Sequence, residues 1–273
     1  MKNILFSLIA VLAGVFGLSG ATVDFLRLES PYLKGDEDVV VICPDTLGNT
    51  RTYPTVYLLN GYGGDHLSWL HICHDLPAMA DRYGFIFVCP DGRDSWYWDS
   101  PIDPDMQMES FITKTLVQHI DSVYPTDARP GQRGIAGLSM GGQGALWLAL
   151  RHQDLWKNVS AISGGVDIRP FPAKWSMSKR IGDKAKNPQA WEDFCLMNLI
   201  PALKPGQLNI MLDCGVDDFF QQVNATLDRE LDSLKIPHDF VRRPGGHTQA
   251  YWRNALPFTL VFFDHNFKSA RCK

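Results

Sequence analysis

The sequence has no excess of positive charge. Over 273 residues, 26 lysines and arginines stand against 30 aspartates and glutamates, a formal net charge of −4. A protein that grips a nucleic-acid backbone needs a basic face, so nucleic acid is excluded as an expected partner. A membrane span is missing too: the apolar run over residues 4–18 is shorter than the ~20 residues that cross a bilayer. No cysteine follows that run to carry a lipid, which removes support for a lipoprotein start. Zinc-type spacing is also lacking. The His71-Ile72-Cys73-His74 cluster has no second ligand pair, so neither a metal nor any other cofactor is expected. Low-complexity linkers and internal repeats are absent, which points to one domain.

What is present begins with Met1-Lys2-Asn3, the apolar run, and then Ser19-Gly20-Ala21. A basic start, a short apolar stretch and small residues form a signal peptide, expected over residues 1–21, with a single catalytic domain over 22–273. The mature chain is therefore expected in the periplasm or outside the cell, without stable membrane insertion after cleavage. Six cysteines make an even count, which permits disulfides there. Cys43, Cys89 and Cys214 nevertheless end apolar runs, where cysteine behaves as a small buried hydrophobe.

Short β-branched or aromatic runs recur at residues 39–43, 55–59, 85–89, 135–137, 159–162, 208–212 and 240–242. Helical periodicity lies between them. Phe111, Ile112, Leu116, Ile120 and Val123 recur at three- and four-residue steps until Pro125, and Leu227, Leu231 and Leu234 until Pro237. Strands alternating with helices predict an α/β protein, a doubly wound, mostly parallel sheet with helices on both faces. Residues 165–207, with five prolines, form the least regular segment and are expected to lie over the sheet edge as a lid.

The chemistry centres on Gly137-Leu138-Ser139-Met140-Gly141. A strand-like run enters it and an Ala/Leu-rich helical run leaves it, the setting in which G-x-S-x-G is a nucleophile elbow. A serine hydroxyl needs a base, and the base needs an orienting acid. In doubly wound hydrolases these follow in the order serine, acid, histidine. Asp218, just past the 208–212 run, is the favoured acid, with Asp217 in reserve. His247, in Gly245-Gly246-His247-Thr248, is the base. Among the other histidines, His66, His71 and His74 precede the serine, His119 and His152 are expected on helices facing solvent, His238 starts a strand and His265 sits in the last helix. Oxyanion donors are expected from the Met140 amide and, in Asn60-Gly61-Tyr62-Gly63-Gly64, from the Tyr62 amide. In the run Trp96-Tyr97-Trp98, three consecutive rings are not expected to face a core together, so they are assigned to substrate binding.

Together, Leu59-Asn60-Gly61-Tyr62-Gly63-Gly64, Asp91-Gly92-Arg93-Asp94-Ser95-Trp96-Tyr97, the serine elbow, Cys214-Gly215-Val216-Asp217-Asp218-Phe219 and Gly245-Gly246-His247-Thr248 resemble the esterase D / feruloyl esterase group of α/β-hydrolases. The resemblance runs from about residue 39 to 267. It implies the α/β-hydrolase fold, the triad Ser139, Asp218 and His247, and the oxyanion donors Tyr62 and Met140. It also implies a small-molecule or polysaccharide-linked ester as substrate, such as an acetyl or feruloyl group on a plant sugar. A general short-chain esterase, an acyltransferase and a catalytically silent carbohydrate-binding relative are the other readings. Two departures, Asn60 where such sequences often carry histidine and Arg93 where a small residue is common, are expected to shape the rim of the site.

Overall fold

A computed structural model describes residues 20–45 and 52–271; residues 1–19 of the expected signal segment and Cys272 lie outside them. Among the described residues no helix is long and apolar enough to cross a membrane.

Eight strands form one sheet: β1 (Thr22–Leu28), β2 (Glu37–Cys43), β3 (Thr55–Leu59), β4 (Ile86–Pro90), β5 (Arg133–Leu138), β6 (Asn158–Ile162), β7 (Asn209–Gly215) and β8 (His238–Arg243). Their order is β1-β2-β4-β3-β5-β6-β7-β8. The pairs β1–β2 and β2–β4 are antiparallel and all others parallel. The helices are α1 (Ser68–Ile72), α2 (Leu76–Tyr83), α3 (Met108–Ser110), α4 (Val117–Val123), α5 (Met140–Arg151), α6 (Met177–Ile181), α7 (Pro188–Asp193), α8 (Gln221–Ser233) and α9 (Gln249–Arg271). A π-helical stretch, Phe111–Leu116, joins α3 to α4. That joined helix ends where Tyr124 turns extended ahead of Pro125, because a residue before proline is pushed out of helical geometry.

The apolar runs are continuous because both faces of the sheet are covered. Along β2, Val39 and Val41 pack into the core shared with α5 and α8, while Val40 and Ile42 enter the core under α2 and α9. Tyr57 and Leu59 of β3 alternate with Val56 and Leu58 in the same way. Cys43, Cys89 and Cys214 are buried and free, as are Cys73 and Cys195.

Three local expectations need correction. The antiparallel edge strand β1 was not foreseen, because Thr22–Leu28 fully buries only Leu28 and so carries no strong apolar run. The irregular segment 165–207 leaves β6, an interior strand, so it runs over the carboxyl end of the sheet and not over an edge. His119 is half-buried on α4, and His152 follows α5 with its Nε2 2.7 Å from Glu109 Oε1, so neither simply faces solvent.

The junction of β5 and α5 has no spare room. A Cβ on Gly137 would lie 2.2 Å from the Gly141 carbonyl oxygen, and one on Gly141 would lie 2.4 Å from the Leu59 carbonyl oxygen. Both obstacles are backbone and cannot swing aside. Gly137→Ala is therefore expected to destabilise the fold by at least about 3 kcal/mol, the upper end of the usual overpacking range. Urea unfolding of the variant beside the parent checks this.

Candidate active site

Ser139 sits between β5 and α5 with φ 57° and ψ −116°, a left-handed, strained conformation that costs roughly 1–3 kcal/mol. Its amide donates to the Ile162 carbonyl at 2.9 Å, tying the turn to β6. The hydroxyl is left facing a cleft of about 530 Å³. Tyr62, Trp175, Phe219, His247 and Trp252 line that cleft with it.

The candidate acid and base come from two loops that cross. Asp218 follows β7 and His247 follows β8. A Cβ on Gly215 would lie 2.1 Å from the Gly245 carbonyl oxygen, and the Asp217 amide donates to that same oxygen at 3.0 Å. The crossing brings His247 Nδ1 to 2.9 Å from Asp218 Oδ2, and Ser139 Oγ to 2.9 Å from His247 Nε2. A carboxylate only accepts, so Nδ1 carries the proton and Nε2 offers a lone pair to the Ser139 hydroxyl. The Asp218 side chain is fully buried and that of His247 is 14% exposed. The Phe220 amide also donates to Asp218 Oδ1, at 2.8 Å. Asp217 is exposed and only accepts a long 3.4 Å bond from the Gly245 amide. The geometry thus joins Asp218, and not Asp217, to the histidine.

Rings surround the imidazole. Phe219, Trp252 and Phe220 lie 4.3, 5.0 and 5.5 Å from it, centroid to centroid. Behind the loops, Asp213 at the end of β7 is fully buried; Tyr251 Oη donates to its Oδ1 at 2.7 Å, and Arg243 pairs with its Oδ2. Burial pushes the Asp213 carboxyl above its ordinary range, with Tyr251 and Arg243 pulling the other way. The pairing links β7, β8 and α9 directly beneath the His247 loop.

The Asn60–Gly64 loop abuts the serine, since a Cβ on Gly61 would lie 3.3 Å from Ser139 Cβ. Neither the Tyr62 nor the Met140 amide finds an acceptor among the described residues. Met140 opens α5, where the first amides lack helical partners and the dipole is positive. The Tyr62 hydroxyl lies 2.9 Å from Ser176 Oγ, joining this loop to the 165–207 segment.

The aromatic run does not line the cleft. Trp96, Tyr97 and Trp98 are 1%, 0% and 0% exposed, so their assignment to substrate binding is corrected. Trp96 and Tyr97 both have positive φ, 58° and 61°, and two left-handed residues in succession abolish the alternation that would send one ring outward. Trp98 instead packs against Trp147 and Phe194. Arg93 is likewise not on the rim: it turns away to Glu37 and to the Lys34 and Asp36 carbonyls. Asn60 is fully buried beneath the rim. In the His71–His74 cluster Cys73 is buried while both histidines are exposed, His71 on the wall of the cleft. The cleft rings that sequence reasoning missed are Trp175, Phe219 and Trp252. Phe219 adjoins the acid and Trp252 follows the base by about one turn, so proximity was a usable sign for both; Trp175 lies in the irregular segment and carried none.

The Esterase family model matches residues 30–263. An acetyl esterase of Caldicellulosiruptor saccharolyticus is 28% identical over 245 residues, 85% of this chain and 87% of the relative. A solved ferulic acid esterase superposes with a TM-score of 0.80 at 25% identity, over 92% of this chain and 100% of that one. A fluorophosphonate-binding serine hydrolase of Staphylococcus aureus also gives 0.80, at 20% identity, over 90% of this chain and 99% of its own, a likeness of fold alone. The sheet order and these superpositions make the architecture an α/β-hydrolase fold.

Because Trp98 is packing and not surface, Trp98→Ala is expected to lower stability by about 3–5 kcal/mol. KM values for a small and a bulky ester should stay in the same ratio, as steady-state kinetics alongside chemical denaturation will show.

Proposed function

The chain belongs to the Esterase family and is a serine carboxylester hydrolase, and from that premise we propose its catalytic residues, its substrate and its location. The observation that carries the catalytic assignment is the continuous line Ser139 Oγ, His247 Nε2, His247 Nδ1, Asp218 Oδ2, with both links at 2.9 Å. Ser139 Oγ attacks the ester carbonyl carbon while His247 Nε2 takes its proton. The oxyanion rests on the Tyr62 and Met140 amides, which have no other acceptor among the described residues. The adduct collapses, the C–O bond to the alcohol breaks, and His247 returns its proton to the leaving oxygen. Water then attacks the acyl-enzyme, again giving a proton to His247, and the carboxylic acid departs as Ser139 regains its hydrogen. Asp218 holds the Nδ1–H tautomer and offsets the imidazolium charge in both halves.

The substrate is an acetyl or feruloyl-type ester on a plant-polysaccharide sugar. Support comes from the acetyl esterase and ferulic acid esterase relatives and from the ring-walled cleft, whose Trp175, Phe219 and Trp252 suit a planar acyl group or a sugar face. Export rests on the basic start and apolar run of residues 1–21.

Ser139→Ala and His247→Ala are each expected to lower kcat by about 10⁴-fold or more, the double variant being little worse, since members of a triad act as a unit. Asp218→Asn should cost on the order of 10⁴-fold and Asp217→Asn far less. Kinetics on acetyl, butyryl and feruloyl esters measure both points, and full activity of Ser139→Ala would end the assignment.

A further inference from the structure

Asn60 and Tyr97 are a buried polar pair that the mechanism above leaves unused. Both are 0% exposed. The Tyr97 hydroxyl donates to Asn60 Oδ1 at 2.8 Å and approaches the Asn60 carbonyl oxygen at 3.1 Å. The Gly92 amide donates to the same Oδ1 at 2.8 Å. With both lone pairs of Oδ1 engaged, the carboxamide has one satisfactory orientation, since the flipped group would turn its NH₂ against the Gly92 N–H, which can only donate. Nδ2 is thereby aimed at the Gly61 carbonyl oxygen, 3.1 Å away, which also accepts from the Gly64 amide at 3.0 Å.

The Gly61 carbonyl and the Tyr62 N–H belong to one peptide unit. That unit is planar, and its C=O and N–H point in opposite directions. Holding the Gly61 oxygen with two donors therefore fixes the direction of the Tyr62 N–H. It also polarises the amide, which makes the N–H a stronger donor. Tyr97 is itself held hard in place. A Cβ on Gly92 would lie 2.1 Å from its hydroxyl oxygen, and one on Gly144 of α5 would lie 2.2 Å from its ring. Its amide donates to Ser95 Oγ at 2.9 Å, and Ser95 Oγ donates to the Gly92 carbonyl at 2.6 Å. Its positive φ of 61° is maintained by these contacts.

We propose that Asn60 and Tyr97 are positioning residues for ester hydrolysis, aiming the Tyr62 N–H at the developing oxyanion through the Gly61 carbonyl. The assignment rests on the reading of Ser139 as nucleophile and the Tyr62 amide as oxyanion donor. Neither side chain touches the substrate. Their contribution appears only when the carbonyl oxygen becomes tetrahedral and negative, so it belongs in kcat and not in KM.

Tyr97→Phe removes one hydroxyl and keeps the ring that packs on α5, while Asn60→Ala removes the whole linkage. Four quantities are to be measured for each: kcat per active site titrated with a fluorophosphonate, KM, the Kd of an arylboronic acid that forms a tetrahedral adduct on the serine, and the Kd of the corresponding carboxylic acid. Tyr97→Phe is expected to lower kcat about 10- to 100-fold, as a small misplacement of a catalytic group does. Asn60→Ala should approach the roughly 10²–10³-fold loss seen when an oxyanion donor is removed. In both, the boronic acid should weaken by the same factor as kcat, with KM and carboxylic-acid binding unchanged within about twofold. A lower melting temperature with unchanged kcat and unchanged boronic-acid affinity in Tyr97→Phe would overturn the proposal, leaving the pair as packing alone. Should Asn60→Ala not fold, Tyr97→Phe decides alone. Ser139→Ala separates the two levels. If it is inactive and binds no boronic acid while Tyr97→Phe behaves as the parent, only the positioning role fails. If it stays active, the reading of the site fails and this inference with it.

Discussion

Everything at this site depends on how closely one helix can approach one strand. The Gly137 and Gly141 backbones are in contact where β5 gives way to α5, and Gly141 presses on the Leu59 and Asn60 carbonyls at the end of β3. That contact raises Ser139 on a strained turn. It also places the open end of α5, whose Met140 amide has no acceptor among the described residues, against the loop that carries the Tyr62 amide. Any side chain larger than hydrogen at either glycine would separate Ser139 from the amides around it. Catalytic geometry and fold stability are therefore set by the same few ångströms.

A second close crossing supplies the other half of the site. Gly215 and Gly245 let the loops after β7 and β8 touch backbone to backbone, so Asp218 and His247 can arise from different strands yet meet within 2.9 Å. Beneath them the buried Asp213 carboxylate is held by Tyr251 and Arg243. A buried charge in this position is expensive unless every lone pair has a donor, and the donors come from β8 and α9. Displacing either element would strand the charge, so the linkage favours one arrangement of the two loops over looser alternatives.

These constraints were unevenly readable from the residues alone. Strands buried on both faces announce themselves as apolar runs, and β3 and β6 fall close to where periodicity puts them. The candidate triad was legible as a set because its chemistry needs particular residue types in a fixed chain order, and Asp218, favoured over Asp217, is the carboxylate that lies against His247. β1 escaped because an edge strand with little burial leaves no apolar signature. The Trp96–Trp98 run was misjudged for a different reason. Period-two reasoning assumes ordinary backbone, and successive left-handed residues remove that premise. Asn60 was noticed as a departure from its relatives, yet its use depends on Tyr97 and Gly92, more than thirty residues away. Such long-range hydrogen bonding has no local mark in a sequence.

The buried aromatic run still bears on the cleft, though at one remove. Trp96 Nε1 donates to the Trp175 carbonyl at 3.0 Å, and the two rings lie 6.2 Å apart. Trp175 and Ser176 both hold positive φ, 49° and 54°, in a segment with little regular structure of its own. The anchor from Trp96 fixes that turn, and the Trp175 ring stacks on Phe219 at 5.7 Å and 18°. Phe219 in turn lies against His247. A line of rings thus runs from the core through the irregular segment to His247. Aromatic rings rotate about only two side-chain bonds, so a rigid wall can be built from them at low entropic cost even where the backbone is irregular. The residues first assigned to gripping the substrate instead hold in place rings that line the cleft.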